Sequence, residues 1–336
     1  MDLPDKLASW PRVPLANTPT PLHPAPRLTE ALGGPRVLLK RDDLTGLATG
    51  GNKTRKLEFL LADALAAGAD CLITAGGPQS NHCRQTAAAA AKTGLRCCLV
   101  LGGEPPARCE GNLLLDRLLG AELHWVEKPR RKEAMQQLAE QLAGEGHTPY
   151  VIPIGGSNAV GALGYVVAMY ELAAQLRQFE EQVDCVVAAT SSGGTLAGMV
   201  AGARLCGFQG QVLAISIDQQ PEADGTFAYR DAVRDIANES CELLGSSGGI
   251  TDSDIHINHD YLGGGYGVVG QPEREAVRLM AETEGVLVGP VYTSRALAGL
   301  IDLARRGTWA PDQTVVFWHT GDETALHAYG DEFLTD

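Results

Sequence analysis

One lysine of this chain stands where its amine can act as a nucleophile. Lys53 lies in the segment LATGGNKTRKLEFLLADAL, in which Gly50 and Gly51 let the backbone bend and Asn52 is a good helix N-cap. Leucines at helical spacing follow, so we predict that Lys53 lies in the first turn of a helix. A protonated amine there opposes the positive end of the helix dipole, whereas a neutral amine or an imine does not. The alternative is a solvated lysine in a basic first turn.

A glycine-rich loop in the second half of the chain has the composition of an anion site. Residues 190–195, TSSGGT, combine two glycines for close backbone approach with hydroxyls that can donate to phosphate oxygens. The loop lacks the lysine of a GxxxxGK[ST] nucleotide loop and the GxGxxG spacing of a dinucleotide site. A small phosphorylated cofactor therefore suits it better than a nucleotide, and a plain tight turn is the alternative.

A second loop, GGPQSNHC at 76–83, places Ser80, Asn81 and His82 at the start of a predicted helix. Backbone amides at such a terminus, together with the Ser80 hydroxyl, can hold a carboxylate. Ordinary N-capping by Ser80 or Asn81 is the alternative. Taken together, the three segments describe an amino acid held by its carboxylate beside an aldehyde cofactor held by its phosphate, with Lys53 forming the imine.

The elements that must position these loops alternate between strand and helix, which predicts an α/β protein with parallel strands. Ligands of such sheets bind at the carboxyl ends of the strands. The predicted strands are residues 35–43, 70–74, 96–101, 122–126, 150–154, 185–189, 211–217 and 314–319. The predicted helices after that of Lys53 are residues 84–92, 111–119, 132–144, 166–176, 196–205, 229–244, 273–284 and 295–306. The first 26 residues hold seven of the 18 prolines, so we expect them to wrap the surface irregularly.

Length and composition limit the class of protein. The 336 residues are enough for two domains, and 44% hydrophobic residues with only 5% aromatics suit helices packed closely on sheets. The formal net charge of −14, without a long run of like charge, argues against nucleic acid and anionic membranes as partners. Neither a signal-like segment nor an apolar run of about 18 residues is evident, so we expect a soluble, cytoplasmic protein.

The cysteines and histidines suggest no metal site. The eight cysteines are scattered, several of them within apolar runs, and no CxxC pair occurs, so we expect reduced, structural thiols. His256 and His259 lie close to Asp254 and Asp260, but further ligands at useful spacing are lacking. We therefore predict a protein without a bound metal.

The order of the motifs resembles a known family. GGNKTRKLE, GGPQSNHCRQTAAAAA, TPTPL near the N-terminus, SSGGTLAGM, GGGYG and GPVYTS occur as in the pyridoxal-phosphate enzymes of the tryptophan-synthase-β-like fold. Within that fold they resemble the D-cysteine desulfhydrase and 1-aminocyclopropane-1-carboxylate deaminase family, from about Pro11 to Tyr329. The resemblance implies two three-layer α/β/α domains with mostly parallel sheets and the cofactor in the cleft between them. The large domain would comprise residues 1–52 and 165–336, and the small domain residues 53–164.

The resemblance also implies roles for single residues. Lys53 would bind pyridoxal phosphate as a Schiff base, Asn81 would lie beside the 3'-oxygen of the cofactor, and Ser80 would lie near the substrate. Tyr266 in GGGYG and Tyr292 in GPVYTS would face the substrate, although either would otherwise be interpreted as a core aromatic. The phosphate cradle would consist of Ser192, Gly193, Gly194 and Thr195.

Three positions bear on the substrate. The deaminase has Glu after the tyrosine of its PVY motif, where this chain has Thr293. It has Leu after a histidine near the C-terminus that corresponds to His319, where this chain has Thr320. His82 follows QSN, as in the desulfhydrases, where the deaminase has Gln. The resemblance places Thr320 near the cofactor's ring nitrogen, where a hydroxyl leaves the pyridine less protonated than a carboxylate would. That suits β-elimination better than ring opening, so the desulfhydrase is favoured.

Two positions depart from the family. An aspartate usually precedes PVY and a second glycine follows HTG, whereas this chain has Gly289 and Asp322 there. Asp322 adds negative charge near the expected cofactor, which could discriminate against an acidic substrate or mark a changed activity.

The resulting hypothesis is a homodimeric lyase acting on D-cysteine or a close relative. Lys53 would remove the α-proton, Tyr292 would donate a proton to the leaving thiol, and the carboxylate would sit on the Ser80 to His82 amides, with Thr293 also near the substrate. Alternative activities are L-cysteate sulfo-lyase, aminocyclopropanecarboxylate deaminase, and a lyase for D-serine or 3-chloroalanine. A β-replacement synthase and an inactive cofactor-binding protein are the remaining alternatives.

Overall fold

The strands form two separate sheets in the structure, a computed structural model that describes residues 4–247 and 249–334. In chain order the strands are β1 (Leu22–Pro24), β2 (Arg36–Arg41), β3 (Cys71–Gly76), β4 (Arg96–Gly102), β5 (Glu122–Val126), β6 (Pro149–Val151), β7 (Cys185–Thr190), β8 (Gln211–Ser216), β9 (His256–Asn258) and β10 (Thr314–His319). The larger sheet has the order β1-β2-β10-β7-β8-β9, and the smaller sheet has the order β5-β4-β3-β6. All neighbouring strands run parallel except β1 and β2.

Helices cover both faces of each sheet. They are α1 (Asp5–Ala8), α2 (Pro26–Leu32), α3 (Lys53–Ala66), α4 (Asn81–Thr93), α5 (Gly111–Leu118), α6 (Arg131–Gly144), α7 (Ala159–Gln178), α8 (Gly194–Cys206), α9 (Ala228–Leu243), α10 (Gln271–Glu284), α11 (Thr293–Arg305) and α12 (Gly330–Leu334). Alternate residues of one strand belong to different cores: Val186 packs with α7, α8 and α9, whereas Val187 packs with α2, α10 and α11. In the smaller sheet, α3, α4 and α5 cover one face and α6 covers the other. Each sheet is thus the middle of three layers.

The α/β prediction with mostly parallel strands is confirmed, and the errors concern short or proline-rich elements and the start of one long helix. The N-terminal segment is not irregular throughout, because β1 pairs with β2 at the edge of the larger sheet. An edge strand tolerates proline, since the missing N–H group can face away from its partner. The three-residue strand β9 also escaped prediction, and α7 begins at Ala159, seven residues before the predicted start.

One helix of the described residues is long and apolar enough to cross a membrane by length and composition alone. Helix α7 has 20 residues, and its most apolar window has a mean hydropathy of 1.4. Of that window, 61% is buried inside the protein, where α7 packs against α3 and α8. The apolar composition of α7 is therefore that of a core helix.

The strands of the smaller sheet lie within residues 71–151 and those of the larger sheet outside that range, and α3 packs on the smaller sheet's core and also against α7. The boundaries after residues 52 and 164 therefore stay a prediction. Residues 1–3, 248 and 335–336, all assigned to the large domain, lie outside the described residues.

A buried ionic network fastens the first turn of α3 to the larger sheet. The Arg55 guanidinium donates to both carboxylate oxygens of Asp42, at 2.8 and 2.9 Å, and to both of Glu171, at 2.9 and 3.0 Å. Lys40 on β2 also contacts Glu171. Burial acts to raise the pKa of Asp42, but the charge of Arg55 and its hydrogen bonds outweigh burial and lower that pKa to about 2.

We expect Arg55→Met to lower the free energy of unfolding by about 3–5 kcal/mol, because it leaves buried carboxylates without their main cation. The matched control is Arg36→Met, which removes a pair with Glu181 whose arginine is 44% exposed and should cost about 0–1 kcal/mol. Urea denaturation at one fixed cofactor concentration measures both.

The contribution of Asp42 should also depend on pH. Its folded-state pKa of about 2 lies below the unfolded value of about 3.9, so this stabilisation is complete above the unfolded value and is lost as the pH falls towards 2.

If Arg55→Met and Arg36→Met lowered the free energy of unfolding equally, the stabilising role assigned to the buried ionic network would be contradicted.

Candidate active site

A cavity of about 690 Å³ opens between the two sheets, at the carboxyl ends of their strands. Its walls include the loop from β3 to α4, the loop from β7 to α8, and the start of α3. Ten of the residues predicted to form the site line this cavity. They are Lys53, Ser80, Asn81, His82, Ser192, Gly193, Thr195, Tyr266, Tyr292 and Thr320.

Lys53 is the first residue of α3, as predicted, and its amine donates to the Asn52 side-chain oxygen at 3.2 Å. Asn52 occupies the N-cap position, but its side chain makes no capping hydrogen bond, contrary to the expectation. Its amide nitrogen instead donates to the Thr195 hydroxyl at 3.0 Å, and its backbone N–H donates to the Thr320 carbonyl at 3.0 Å. Asn52 therefore connects Lys53 to the start of α8, because its side chain contacts both the Lys53 amine and the Thr195 hydroxyl.

Two lysines lie one helical turn apart in α3: Lys53, which is partly buried and lines the cavity, and Lys56, which is fully buried. Burial lowers the pKa of Lys53 to about 8, although the negative charge of Asp322 acts to raise it. Burial and the charge of Lys53 lower the pKa of Lys56 well below its usual value, and among the described residues its amine has no hydrogen-bond partner. The nucleophilic character predicted for Lys53 thus comes mainly from burial. Lys56 was missed, although its spacing of three from Lys53 places both on one side of α3.

We expect cofactor loading to follow the ionisation of Lys53. Only the neutral amine attacks an aldehyde, so the rate of covalent pyridoxal phosphate incorporation into cofactor-free protein should rise with pH and level off above about 8. Asp322→Asn removes a negative charge that raises the pKa of Lys53, so its profile should shift to lower pH. Stopped-flow absorbance at constant ionic strength gives the rates, and a profile unchanged by Asp322→Asn would contradict the assignment.

The loop before α8 is braced from behind by Ser157. Gly193 has φ +90°, a backbone conformation that favours glycine, and α8 begins at Gly194. The Gly194 N–H donates to the Ser157 hydroxyl oxygen at 3.0 Å, and the Ser157 hydroxyl donates to that of Ser192 at 2.9 Å. A Cβ at position 194 would lie 2.7 Å from the Ser157 Cα. The Gly194 amide is thus bonded to Ser157 and the residue is not part of the cavity lining, and its predicted place in the phosphate cradle stays a prediction.

The loop before α4 presents a capped helix start to the cavity. Ser80 is the N-cap, and its hydroxyl accepts from the Cys83 N–H at 3.2 Å. The Asn81 side chain donates to Asp322 at 2.8 Å. His82 Nε2 lies 2.8 Å from the Thr74 hydroxyl, and burial together with the nearby lysines lowers the pKa of His82 well below its usual value. His82 is therefore neutral, so a bound carboxylate would meet amide and hydroxyl groups here instead of an imidazolium.

Two tyrosines meet at another side of the cavity. The hydroxyl oxygens of Tyr266 and Tyr292 are 2.6 Å apart, and the rings pack edge to face with centroids 5.8 Å apart. Tyr266 is 40% exposed. Burial raises the pKa of Tyr292 well above its usual value, so Tyr292 keeps its proton at neutral pH. The pair can therefore supply a proton to a group in the cavity.

Thr293 does not reach the cavity, which differs from its predicted contact with the substrate. It is fully buried, and its hydroxyl accepts from the Gly289 N–H at 2.6 Å and lies 3.1 Å from the Gly321 carbonyl. The side chain thus closes a turn beneath the site. A match to the PVY motif cannot reveal that Thr293 is buried, because the direction of its side chain depends on where α11 begins.

Asp322 lies beneath the cavity wall and is 1% exposed. Its carboxylate accepts from the Asn81 side chain at 2.8 Å and from the backbone N–H groups of Val291 and Tyr292 at 3.1 and 3.0 Å. Burial raises its pKa to about 6, although these hydrogen bonds act to lower it. Asp322 therefore positions Asn81 and Tyr292 from beneath the cavity wall, and its effect on an acidic substrate stays a prediction.

Gly289 and Asp322 are structurally linked. A Cβ on Gly289 would lie 2.3 Å from the Cβ and the carbonyl carbon of Asp322, so a side chain at position 289 and the observed backbone at 322 exclude each other. Asp322 has φ +93°, a region in which aspartate is tolerated better than most residues. The two departures from the family pattern are thus one local change.

The cavity suits a phosphorylated aldehyde of the predicted kind. A glycine and serine loop at the start of α8 faces it, and the amine of Lys53 opens onto it. Three cationic side chains that no sequence motif indicates also line the cavity, contributed by the smaller sheet's loops and α6. They are Arg108, Lys128 and Arg131.

Comparison with known proteins assigns the chain to a family. Residues 13–321 match the model of the family described as "Pyridoxal-phosphate dependent enzyme", and the chain belongs to that family. Among its relatives is a D-cysteine desulfhydrase of Klebsiella pneumoniae (strain 342), which is 42% identical over 334 residues, covering 96% of this chain and 97% of that protein. A putative 1-aminocyclopropane-1-carboxylate deaminase of Pyrococcus abyssi (strain GE5 / Orsay) is 40% identical over 331 residues, covering 98% and 96%.

Solved structures confirm the fold. The crystal structure of an ACC deaminase homologue superimposes with a TM-score of 0.90 at 37% identity and covers 99% of each chain. An O-ureido-L-serine synthase has a TM-score of 0.67 at 17% identity, covering 100% of this chain and 97% of that one, which shows the shared fold alone. The predicted family, its fold and its cofactor, pyridoxal phosphate, are therefore confirmed.

Proposed function

We propose that this chain is a pyridoxal-phosphate-dependent lyase that eliminates the thiol of D-cysteine, with water, to give pyruvate, ammonia and hydrogen sulfide. The observation that carries the proposal is the convergence on one cavity of the Lys53 amine, the helix start at Ser80 to His82 and the hydrogen-bonded tyrosine pair. The 42% identity with a D-cysteine desulfhydrase supports the substrate.

Each group has a separate task in this proposal. Pyridoxal phosphate, once bound, withdraws electrons from the α-carbon of the amino acid. The Lys53 amine, freed by the substrate amine, is neutral at slightly alkaline pH and accepts the α-proton. The start of α4 holds the substrate carboxylate, and Tyr292 donates a proton to the leaving sulfur. Ser192, Gly193 and Thr195 would hold the phosphate, and Thr320 would lie beside the ring.

The deciding experiment is a substrate panel scored for keto acid and sulfide. We expect pyruvate and sulfide in equal amounts from D-cysteine, and much slower keto-acid formation from L-cysteine, D-serine and 1-aminocyclopropane-1-carboxylate. Pyruvate from L-cysteine but not D-cysteine would overturn the proposed substrate. Addition of a second thiol tests β-replacement, since a synthase would form a thioether in place of pyruvate.

A cysteate sulfo-lyase is the second candidate, and the cations at the cavity favour it. Arg108, Lys128 and Arg131 would attract a substrate that carries a second negative charge. The same panel decides between the two, because this candidate requires pyruvate and sulfite from L-cysteate at a higher kcat/KM than for D-cysteine.

We further propose a homodimer that works in the cytoplasm. The eight free cysteines, of which seven are buried, suit a reducing compartment. Light scattering of the purified protein tests the dimer, which a monomeric mass would exclude.

A further inference from the structure

Three side chains of metal-ligand type converge on the smaller sheet, on the face covered by α6. They are Cys98 on β4, and Glu122 and His124 on β5. The thiol sulfur, a carboxylate oxygen and an imidazole nitrogen all lie within 4.8 Å of one another. Among the described residues no other such group of three occurs, and His256 and His259 are not part of one.

The register of the sheet explains this convergence. Cys98 lies opposite Glu122 in the ladder of β4 and β5, and His124 is two residues further along β5. Residues two apart on a strand point to the same face, so the three side chains share one side of the sheet. They lie towards the amino ends of these strands, whereas the cavity with Lys53 lies at the carboxyl ends. The cluster is therefore separate from the pyridoxal phosphate site.

The surroundings provide the polar contacts that metal ligands usually have. The Cys71 sulfur lies 3.8 Å from the Cys98 sulfur, where its S–H can donate to a thiolate. Arg96 holds both oxygens of Glu122 at 2.5 and 2.7 Å. Outer partners of this kind orient the groups that bind a metal.

One nitrogen in the cluster lacks a partner. The Nε2 atom of His124 is buried and, within residues 4–247 and 249–334, has no hydrogen-bond partner. Cys98 is fully buried, but Glu122 is exposed and His124 is only partly buried, so an ion can enter at the edge strand β5. The imidazole also interacts with the neighbouring Cys98 thiol, so a cation bound between the two would take both donors at once.

The combination of sulfur, nitrogen and oxygen donors favours a divalent cation of intermediate softness, such as zinc. Zinc takes sulfur, nitrogen and oxygen donors tetrahedrally at about 2.0–2.3 Å, which places ligand atoms about 3.3–3.8 Å apart. The Cys98 sulfur and the nearer Glu122 oxygen are 4.0 Å apart, so a small side-chain rotation brings them into range. The charges of a Cys98 thiolate and Glu122 would offset those of the ion, with Arg96 as the remaining cation nearby.

We propose that Cys98, Glu122 and His124 bind one zinc-type divalent cation, with water as the fourth ligand. Binding forms a metal–sulfur bond and releases the thiol proton of Cys98 to solvent, without any change in oxidation state. The ion would link edge strand β5 to β4 and so stabilise the smaller sheet. The absence of a CxxC pair concealed this site, because its ligands come from two strands that are adjacent only in the sheet.

The test uses the full chain with pyridoxal phosphate bound and any affinity tag removed. Zinc is titrated in competition with a chromophoric chelator, and we expect one ion per chain. Cys98→Ser and His124→Gln should each weaken binding by more than the about 10–100-fold that loss of an outer partner costs. The matched controls Cys109→Ser and His147→Gln, which remove the same residue types elsewhere in residues 53–164, should bind zinc like the unmodified protein.

A second readout separates ligation from misfolding. Zinc should raise the Tm of the unmodified protein and of Cys109→Ser at constant pyridoxal phosphate, but not that of His124→Gln. If Cys98→Ser does not fold, the zinc affinities of Glu122→Gln and His124→Gln test the site, because Glu122 is exposed and His124 is only partly buried. Undiminished zinc affinity in these two variants, or no stoichiometric zinc in the unmodified protein, would overturn the site while leaving the proposed lyase activity unaffected.

Discussion

Lys53→Ala is expected to abolish keto-acid formation from D-cysteine, with kcat lower by about 10⁴-fold or more. General-base catalysis alone contributes about 10²–10⁴-fold, and Lys53 is also the proposed covalent attachment for the cofactor. Its amine opens onto the cavity and has a pKa of about 8, lowered by burial, so both tasks are open to it near neutral pH. The variant should also lose the visible absorbance of lysine-bound pyridoxal phosphate.

The matched control for this prediction is Lys92→Ala, since Lys92 is an exposed lysine at the far end of α4. It should keep both the absorbance and the turnover. Retention of full turnover by Lys53→Ala would remove the basis of the proposed function. Cofactor content, measured after denaturation, distinguishes a lost covalent bond from a lost binding site.

Tyr292→Phe should lower kcat/KM for D-cysteine by about 10²–10⁴-fold, the range for loss of a general acid. The residue retains its proton because burial raises its pKa well above the usual value, and its oxygen lies 2.6 Å from that of Tyr266. Tyr266→Phe removes only the hydrogen bond between the two hydroxyl groups, so we expect kcat/KM for D-cysteine to fall by about two- to tenfold.

The leaving group provides the sharper test of Tyr292. Chloride departs without a proton, so 3-chloro-D-alanine should be turned over by Tyr292→Phe at nearly the unmodified rate. An equal loss on D-cysteine and 3-chloro-D-alanine would show that Tyr292 positions the substrate and does not donate the proton. Rates should be compared at one pH, because Asp322, with a pKa raised to about 6, contacts the Tyr292 backbone.

Local patterns were sufficient to place the site residues at the starts of α3 and α4. The turn before Lys53 and the helix start at Ser80 to His82 depend on a few consecutive residues, and the structure then decides between Ser80 and Asn81 as the N-cap in favour of Ser80. The alternation of strands and helices predicted parallel sheets in the same way. These features are determined within one element and its neighbouring turn.

The contacts that could not be predicted depend on segments distant in the chain. Gly194 is committed to Ser157, and Thr293 to Gly321, so neither meets the cavity despite matching a motif. Asn52 binds Thr195, 143 residues away, in preference to capping its own helix. A sequence pattern states which groups are present, but only the packed structure decides which partner each group takes.

The contact between Gly289 and Asp322 makes these two positions epistatic. A Cβ at position 289 would lie 2.3 Å from the backbone and the Cβ of Asp322. A side chain at position 289 is therefore possible only if the loop at residue 322 takes another conformation. Effects of substitutions at the two positions should therefore be strongly non-additive. A library that varies position 289 should therefore vary position 322 as well.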